Sequence, residues 1–222
     1  MRSTEWFVVQ NLKSYFLNSP IITIMKLQVN HQERYSRGEL LLRSFFGVFY
    51  IALPHGFILM FLGIWSLILN FIGFWLVLFT GRYPKSMFDF QVKYQRWNLR
   101  VNASLFNMVD GYPLFGLDTE WDQVQLDIPY PERLSRGLAL VKLLFAPIYV
   151  ILPHIFILYF VMIGVAVINF LAWWSVLFTG SFPASWHRFQ VGFLRWQVRL
   201  NLYLNFMTDK YPPFSGAPDQ ED

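Results

Sequence analysis

Displaced by 99 residues, the chain matches itself without a gap: Met25–Phe115 overlays Val124–Phe214 with 40 of 91 positions identical. Ser36-Arg37-Gly38 recurs as Ser135-Arg136-Gly137, Leu53-Pro54-His55 as Leu152-Pro153-His154, and Phe79-Thr80-Gly81 as Phe178-Thr179-Gly180. Further on, Phe90-Gln91-Val92 recurs as Phe189-Gln190-Val191, and Arg96-Trp97 as Arg195-Trp196. A match this long means two copies of one structural unit. The chain therefore divides into an N-terminal segment (1–24), repeat 1 (25–115), an acidic linker (116–123), repeat 2 (124–214) and an acidic tail (215–222).

Each unit carries a long run without Asp, Glu, Lys or Arg: 38 residues from Ser44 to Gly81 and 45 from Leu143 to His187. A membrane-spanning helix needs about 20 apolar residues. As one helix, the first run would extend roughly 57 Å, against a hydrocarbon core about 30 Å thick. Each run is thus expected to fold as a transmembrane helical hairpin, turning near Leu62–Trp65 and Val161–Gly164. The alternative is a pair of wedges that enter one leaflet and return. The fold expected is an all-α integral membrane protein of two tandem parallel repeats, each a short strand, a transmembrane hairpin and an interfacial amphipathic helix. An even number of spans makes the repeats parallel, about a pseudo-twofold axis along the membrane normal. Basic residues flank both runs, which puts these ends in the cytoplasm.

Composition agrees. Only 14% of residues are charged and 55% are hydrophobic, against about 25% charged in a typical soluble domain. A disordered chain and an ordinary soluble enzyme are disfavoured. With no cysteine, disulfides and thiolate chemistry are excluded. The first 20 residues lack a continuous apolar signal segment, and Glu5–Leu17 reads as a short helix on the membrane surface.

Met25, Leu27 and Val29, and again Val124, Leu126 and Ile128, alternate with polar residues. Period two predicts half-buried strands, which can pair across the pseudo-axis. The segments after the apolar runs read two ways. Trp196–Asn205 alternates strictly, as a strand does. The i, i+4 stripes Arg96/Arg100 and Arg195/Arg199 instead favour a helix of roughly 20 residues along the interface, with Ser86 and Ser185 as N-caps.

His55 and His154 are the sharpest candidates for chemistry, each behind a proline inside an apolar run. Facing each other, they could ligate a metal or haem, or relay a proton. Structurally, Pro54 and Pro153 free the carbonyls of Tyr50 and Tyr149, and a neutral imidazole can donate to them. Asn70 and Asn169 are candidates for interhelical packing or substrate contact. Arg96, Arg100, Arg195 and Arg199 are candidates for lipid-headgroup or partner contacts, or for pairing with Asp89, Asp110 and Asp209.

No hydrolase, nucleotide-binding or metal motif is present, and no cofactor is expected apart from the histidine possibility. The basic residues are too dispersed for nucleic acid. The leading expectation is a non-enzymatic membrane subunit or scaffold, with membrane lipids and other membrane protein subunits as partners. The alternative is a small transporter or lipid-handling protein with a pathway at the repeat interface.

The ordered set Arg34-x-Ser36-Arg37, Pro54-His55, Phe79 to Pro84, Phe90 to Asn102 and Asp110-x-Tyr112-Pro113-x-Phe115 resembles the bacterial membrane family called domain of unknown function 4389. Repeat 2 supplies the same elements, with Ser181 where repeat 1 has Arg82. The resemblance implies an inner-membrane protein in two tandem copies and carries no established reaction.

Overall fold

A computed structural model describes residues 25–219; the expected surface helix at Glu5–Leu17 and the last three tail residues lie outside the described residues. Both repeats follow one plan. Repeat 1 contains β1 (Lys26–Val29), α1 (Arg37–Gly47), a π-helical turn (Val48–Ala52), α2 (Leu53–Thr80) and α3 (Lys85–Leu105). Repeat 2 contains β2 (Val124–Asp127), α4 (Arg136–Ala146), a π-helical turn (Pro147–Ile151), α5 (Leu152–Thr179) and α6 (Ala184–Leu204).

The expected hairpins are corrected. Arg37–Thr80 and Arg136–Thr179 are each one continuous helix of 44 residues. Leu62–Trp65 and Val161–Gly164 sit in mid-helix, where no polar residue or left-handed backbone position breaks the ladder. Gly63 and Gly164 provide close approach instead. A Cβ at Gly63 would lie 2.9 Å from the Tyr94 hydroxyl, and one at Gly164 would lie 3.4 Å from the Phe189 ring. The length argument for a hairpin assumed an upright helix, and nothing in the chain imposes that orientation.

Local chemistry sets the ends. Ser36 caps α1 by accepting from the Glu39 amide, and Ser135 caps α4 through the Leu138 amide. The long helices stop at Gly81 (φ 71°) and Gly180 (φ 72°), whose left-handed backbone favours glycine. In mid-helix, Pro54 and Pro153 lack an N–H, and the carbonyls four residues earlier need another donor. The expectation that histidine supplies it is corrected: Tyr112 Oη donates to the Tyr50 carbonyl and Tyr211 Oη to that of Tyr149, both at 2.9 Å.

The ambiguous third segment is helical. α3 runs antiparallel to its long helix, with Gln91 beside Ser66, Tyr94 beside Gly63, Trp97 on His55 and Leu105 near Gly47. It starts behind Pro84, without a side-chain cap. Ser86 therefore falls inside the first turn, as Ser185 does behind Pro183 in α6. Nor do α3 and α6 lie at a surface. Gln91, Trp97, Leu99 and Arg100 are buried, as are Gln190, Trp196, Val198 and Arg199.

β1 and β2 pair antiparallel with Leu27 opposite Leu126, residues that are equivalent at the 99-residue displacement. A pseudo-twofold axis therefore passes through this pair. Met25, Leu27, Val29, Val124 and Leu126 turn inward, while Lys26, Gln28, Gln125 and Asp127 are exposed. The molecule has three layers: the sheet with the linkers, then α3 and α6, then the long helices. The repeats interlock through Asn70 Nδ2 donating to Asn205 Oδ1 (3.0 Å) and Trp173 Nε1 to Ser44 Oγ (2.7 Å).

Close packing makes two glycines unequal. A Cβ at Gly73 would meet the Tyr83 ring at 2.5 Å, whereas one at Gly56 meets nothing within 4 Å. Gly73→Ala should cost about 1–3 kcal/mol, and Gly56→Ala should be neutral or stabilise by up to about 1 kcal/mol. Thermal unfolding of the two variants in detergent checks the difference.

Candidate functional site

The recurring motifs converge on one aromatic box per repeat. His55, fully buried, accepts at Nδ1 from Trp97 Nε1 (2.8 Å). Phe115 stacks on the imidazole at 3.8 Å between centroids, and Tyr112 closes the side at 5.3 Å. Repeat 2 repeats this with His154, Trp196 (2.9 Å), Phe214 (4.2 Å) and Tyr211. An imidazole that accepts at Nδ1 is neutral and carries its proton on Nε2, and in both boxes Nε2 is buried without a partner among the described residues. Among the described residues, the hydrogen-bond and ring partners of each of these two histidines lie in its own repeat. The two imidazoles therefore do not form the shared pair considered from sequence. Among the described residues, no three His, Asp or Glu side chains are grouped to hold a metal.

Asn70 and Asn169 are both hydrogen-bonded within the protein. Asn70 Oδ1 accepts from Tyr83 Oη (3.1 Å) and Gln91 Nε2 (3.2 Å), while its amide reaches repeat 2. Asn169 Oδ1 accepts from Gln190 Nε2 at 2.6 Å.

The four candidate arginines point into the protein. Arg96 donates to the Leu126 carbonyl (2.8 Å), and Arg195 to those of Gly216 (2.6 Å) and Leu27 (3.2 Å). Arg100 holds the carbonyls of Gly116 and Thr119 in the linker. Arg199 holds Ala217 (2.8 Å) and the Asp219 carboxylate (2.9 Å) in the tail. Arg100, Arg195 and Arg199 clamp the segment that follows each Tyr-Pro-x-Phe sequence onto its helix, and Arg96 and Arg195 hold the strands, with their charge set against carbonyl dipoles instead of headgroups.

Sequence reasoning missed Arg43 and Lys142. Buried Arg43 donates to the Val109 carbonyl (2.9 Å), Asn107 Oδ1 (3.0 Å) and Asp110 Oδ1 (2.9 Å). Lys142, its equivalent, donates to the Thr208 carbonyl (2.6 Å) and lies over the Tyr203 ring. Asp110 and Asp209 also accept from the Ser36 and Ser135 amides, both at 2.6 Å. The motif aspartate thus fastens the start of the long helix to the end of the next one. Its recurrence was visible in sequence; its partner, 67 residues upstream for Asp110, was not.

A polar cavity of about 300 Å³ lies on the seam between α3 and α6, lined by Asn98, Asn102, Gln197 and Asn201 with Tyr94 and Gln95. At 100° per residue, Asn98 sits about 200° around the helix from Arg96, which binds the sheet, so the cavity faces away from the sheet. His55, His154, Asn70 and Asn169 do not line it.

Two outcomes test this account. Arg100→Met removes the charged donor from the linker, and loss of ~1.5 kcal/mol should speed limited proteolysis within 116–123 about tenfold. His187 is buried where repeat 1 has Phe88. Burial, and then the neighbouring His31, pushes it down to about 4 from 6.5. The unfolded chain takes up that proton first, so the stability is complete above about pH 6.5 and lost as pH falls towards 4. His187→Phe should flatten this acid limb in unfolding measured against pH.

No curated protein and no solved structure matches the chain. The model of the family described as domain of unknown function 4389 matches residues 40–116 and 142–216, one match in each repeat, covering most of its long helix, its third helix and its aromatic box. The chain belongs to that family, with two copies in tandem.

Proposed function

We propose that the protein is a non-catalytic scaffold or accessory subunit embedded in the cytoplasmic membrane, where it binds lipid and neighbouring membrane proteins. The observation that carries this reading is the outer layer. Within their most apolar windows, only 28% of the first long helix and 17% of the second are buried, whereas a soluble protein's core helix is mostly covered. Phe45, Phe49, Phe57 and Phe71, with Phe156 and Phe170 in repeat 2, are each more than half exposed. A soluble monomer rarely exposes a contiguous apolar patch beyond a few hundred Å². Lipid tails and apolar partner helices cover such a face without the cost that water imposes. The non-catalytic part is supported by the fate of the candidate groups: both histidines, both asparagines and all four arginines are engaged in holding the fold.

A second reading, lipid handling, is favoured by the amide-lined axial cavity on the face opposite the sheet. Its polar walls, on the seam between α3 and α6, would accommodate part of a headgroup.

The protein should stay with the membrane through carbonate washing. Extracted in mild detergent, it should migrate in an assembly well above its own 26.4 kDa, with membrane proteins in fixed stoichiometry. A lone monodisperse chain overturns the scaffold reading. Bound phospholipid that is lost in Asn98→Leu/Asn201→Leu supports the lipid reading, and unchanged lipid content removes it.

A further inference from the structure

The pseudo-twofold axis constrains how the long helices can lie in a bilayer. The Tyr35 amide donates to the Gly180 carbonyl at 2.9 Å, and the Leu134 amide to the Gly81 carbonyl at 2.8 Å. Tyr35 and Leu134 are equivalent at the 99-residue displacement, as are Gly81 and Gly180. One junction is therefore made twice, reciprocally, as an isologous contact is. Rotation about an axis leaves height along that axis unchanged, so Tyr35 and Leu134 are level. Leu134 is bonded to Gly81. The start and the end of the first long helix thus stand at the same height, to within about the length of one hydrogen bond. The same holds for the second helix.

The direction of the axis follows from the sheet. A twofold that exchanges two antiparallel strands and keeps their inward side chains on one face stands perpendicular to the sheet. One end of the axis therefore emerges through the exposed Lys26, Gln28, Gln125 and Asp127. The long helices form the layer furthest from that polar end. If the membrane normal ran across the axis, symmetry would hold these polar and charged side chains at the bilayer midplane, an expensive position. Along the axis, they face water.

We propose that the protein is monotopic. Its two long helices embed an apolar face in a single phospholipid leaflet, both ends of each helix stay at that leaflet's headgroup level, and neither helix crosses. This rests on the membrane reading above and specifies its geometry. Exposed Arg34, Arg37, Arg82 and Lys85 cluster near the ends of the first long helix, with Arg133 and Arg136 at the start of the second. On this placement they form a basic rim level with anionic headgroups, each contributing about 1 kcal/mol of attraction. A helix of 44 residues, too long to stand upright across about 30 Å of hydrocarbon, meets no such limit when both ends share one side.

The cysteine-free chain suits a labelling test. Glu33→Cys, Arg82→Cys, Gln125→Cys and Trp65→Cys are expressed singly, and sealed vesicles of each orientation are treated with a membrane-impermeant maleimide. Labelling of residues 33, 82 and 125 is expected from one side and lost in vesicles of the opposite orientation. Trp65→Cys, on the exposed mid-helix face, is expected to be labelled from neither side until detergent is added. Labelling of residues 33 and 82 from opposite sides means that the helix crosses. Labelling of residue 65 from the far side means that mid-helix reaches the other face. Either result overturns the monotopic geometry and leaves the membrane reading standing. Release of the protein from vesicles by carbonate overturns the membrane reading itself.

Discussion

Two equivalent backbone hydrogen bonds, Tyr35 to Gly180 and Leu134 to Gly81, close the molecule. Each joins the beginning of one long helix to the end of the other, so the repeats are locked as a pair. Neither repeat supplies its own partner for this junction. Gly81 and Gly180 can turn the chain there because their backbone is left-handed, and the turn presents the carbonyl that the other repeat needs. Burial of Tyr35 with Leu40, Ala172, Val176 and Phe182 then packs the α1 end of one repeat against the α5 end of the other.

Around that frame, the recurring residues answer backbone demands. A proline in mid-helix leaves a carbonyl open, and a tyrosine from the Tyr-Pro-x-Phe sequence fills it. The following phenylalanine stacks on the histidine beside the proline. A buried arginine from the third helix holds the chain that comes next. The aspartate two residues before the tyrosine reaches back to the N-cap amide of its own repeat's long helix and to that helix's buried cation. One short motif thus ties together three places in the sequence, and the bonds made by its aspartate to the buried cation are charge-assisted.

The duplication, the strands and their pairing across the axis were legible because each leaves a pattern in the order of residues. The helical state of α3 and α6 was less plain. In 196–205 the alternation suits a strand, and packing of Gln91, Tyr94 and Trp97 against one helix decided the matter. The supposed hairpins misled because length was compared with membrane thickness, which says nothing about a helix whose ends are fixed at one height. The arginine stripes were real, but a stripe does not state what it faces, and the strands, the linker and the tail face these.

Sequence alone determined that the chain is two copies of one unit and that each unit carries one long apolar run flanked by basic residues; that each run is a single helix was decided by the structure. The duplication and the apolar runs follow from repetition and from hydropathy, which are read along the chain itself. Only the tertiary structure decided that the two long helices meet end to end, that the histidines sit in separate boxes, and that the polar sheet and the apolar layer occupy opposite ends of one axis. Those features depend on which backbone amide finds which carbonyl across about a hundred positions, and a pairing at that distance leaves no periodic trace in either partner.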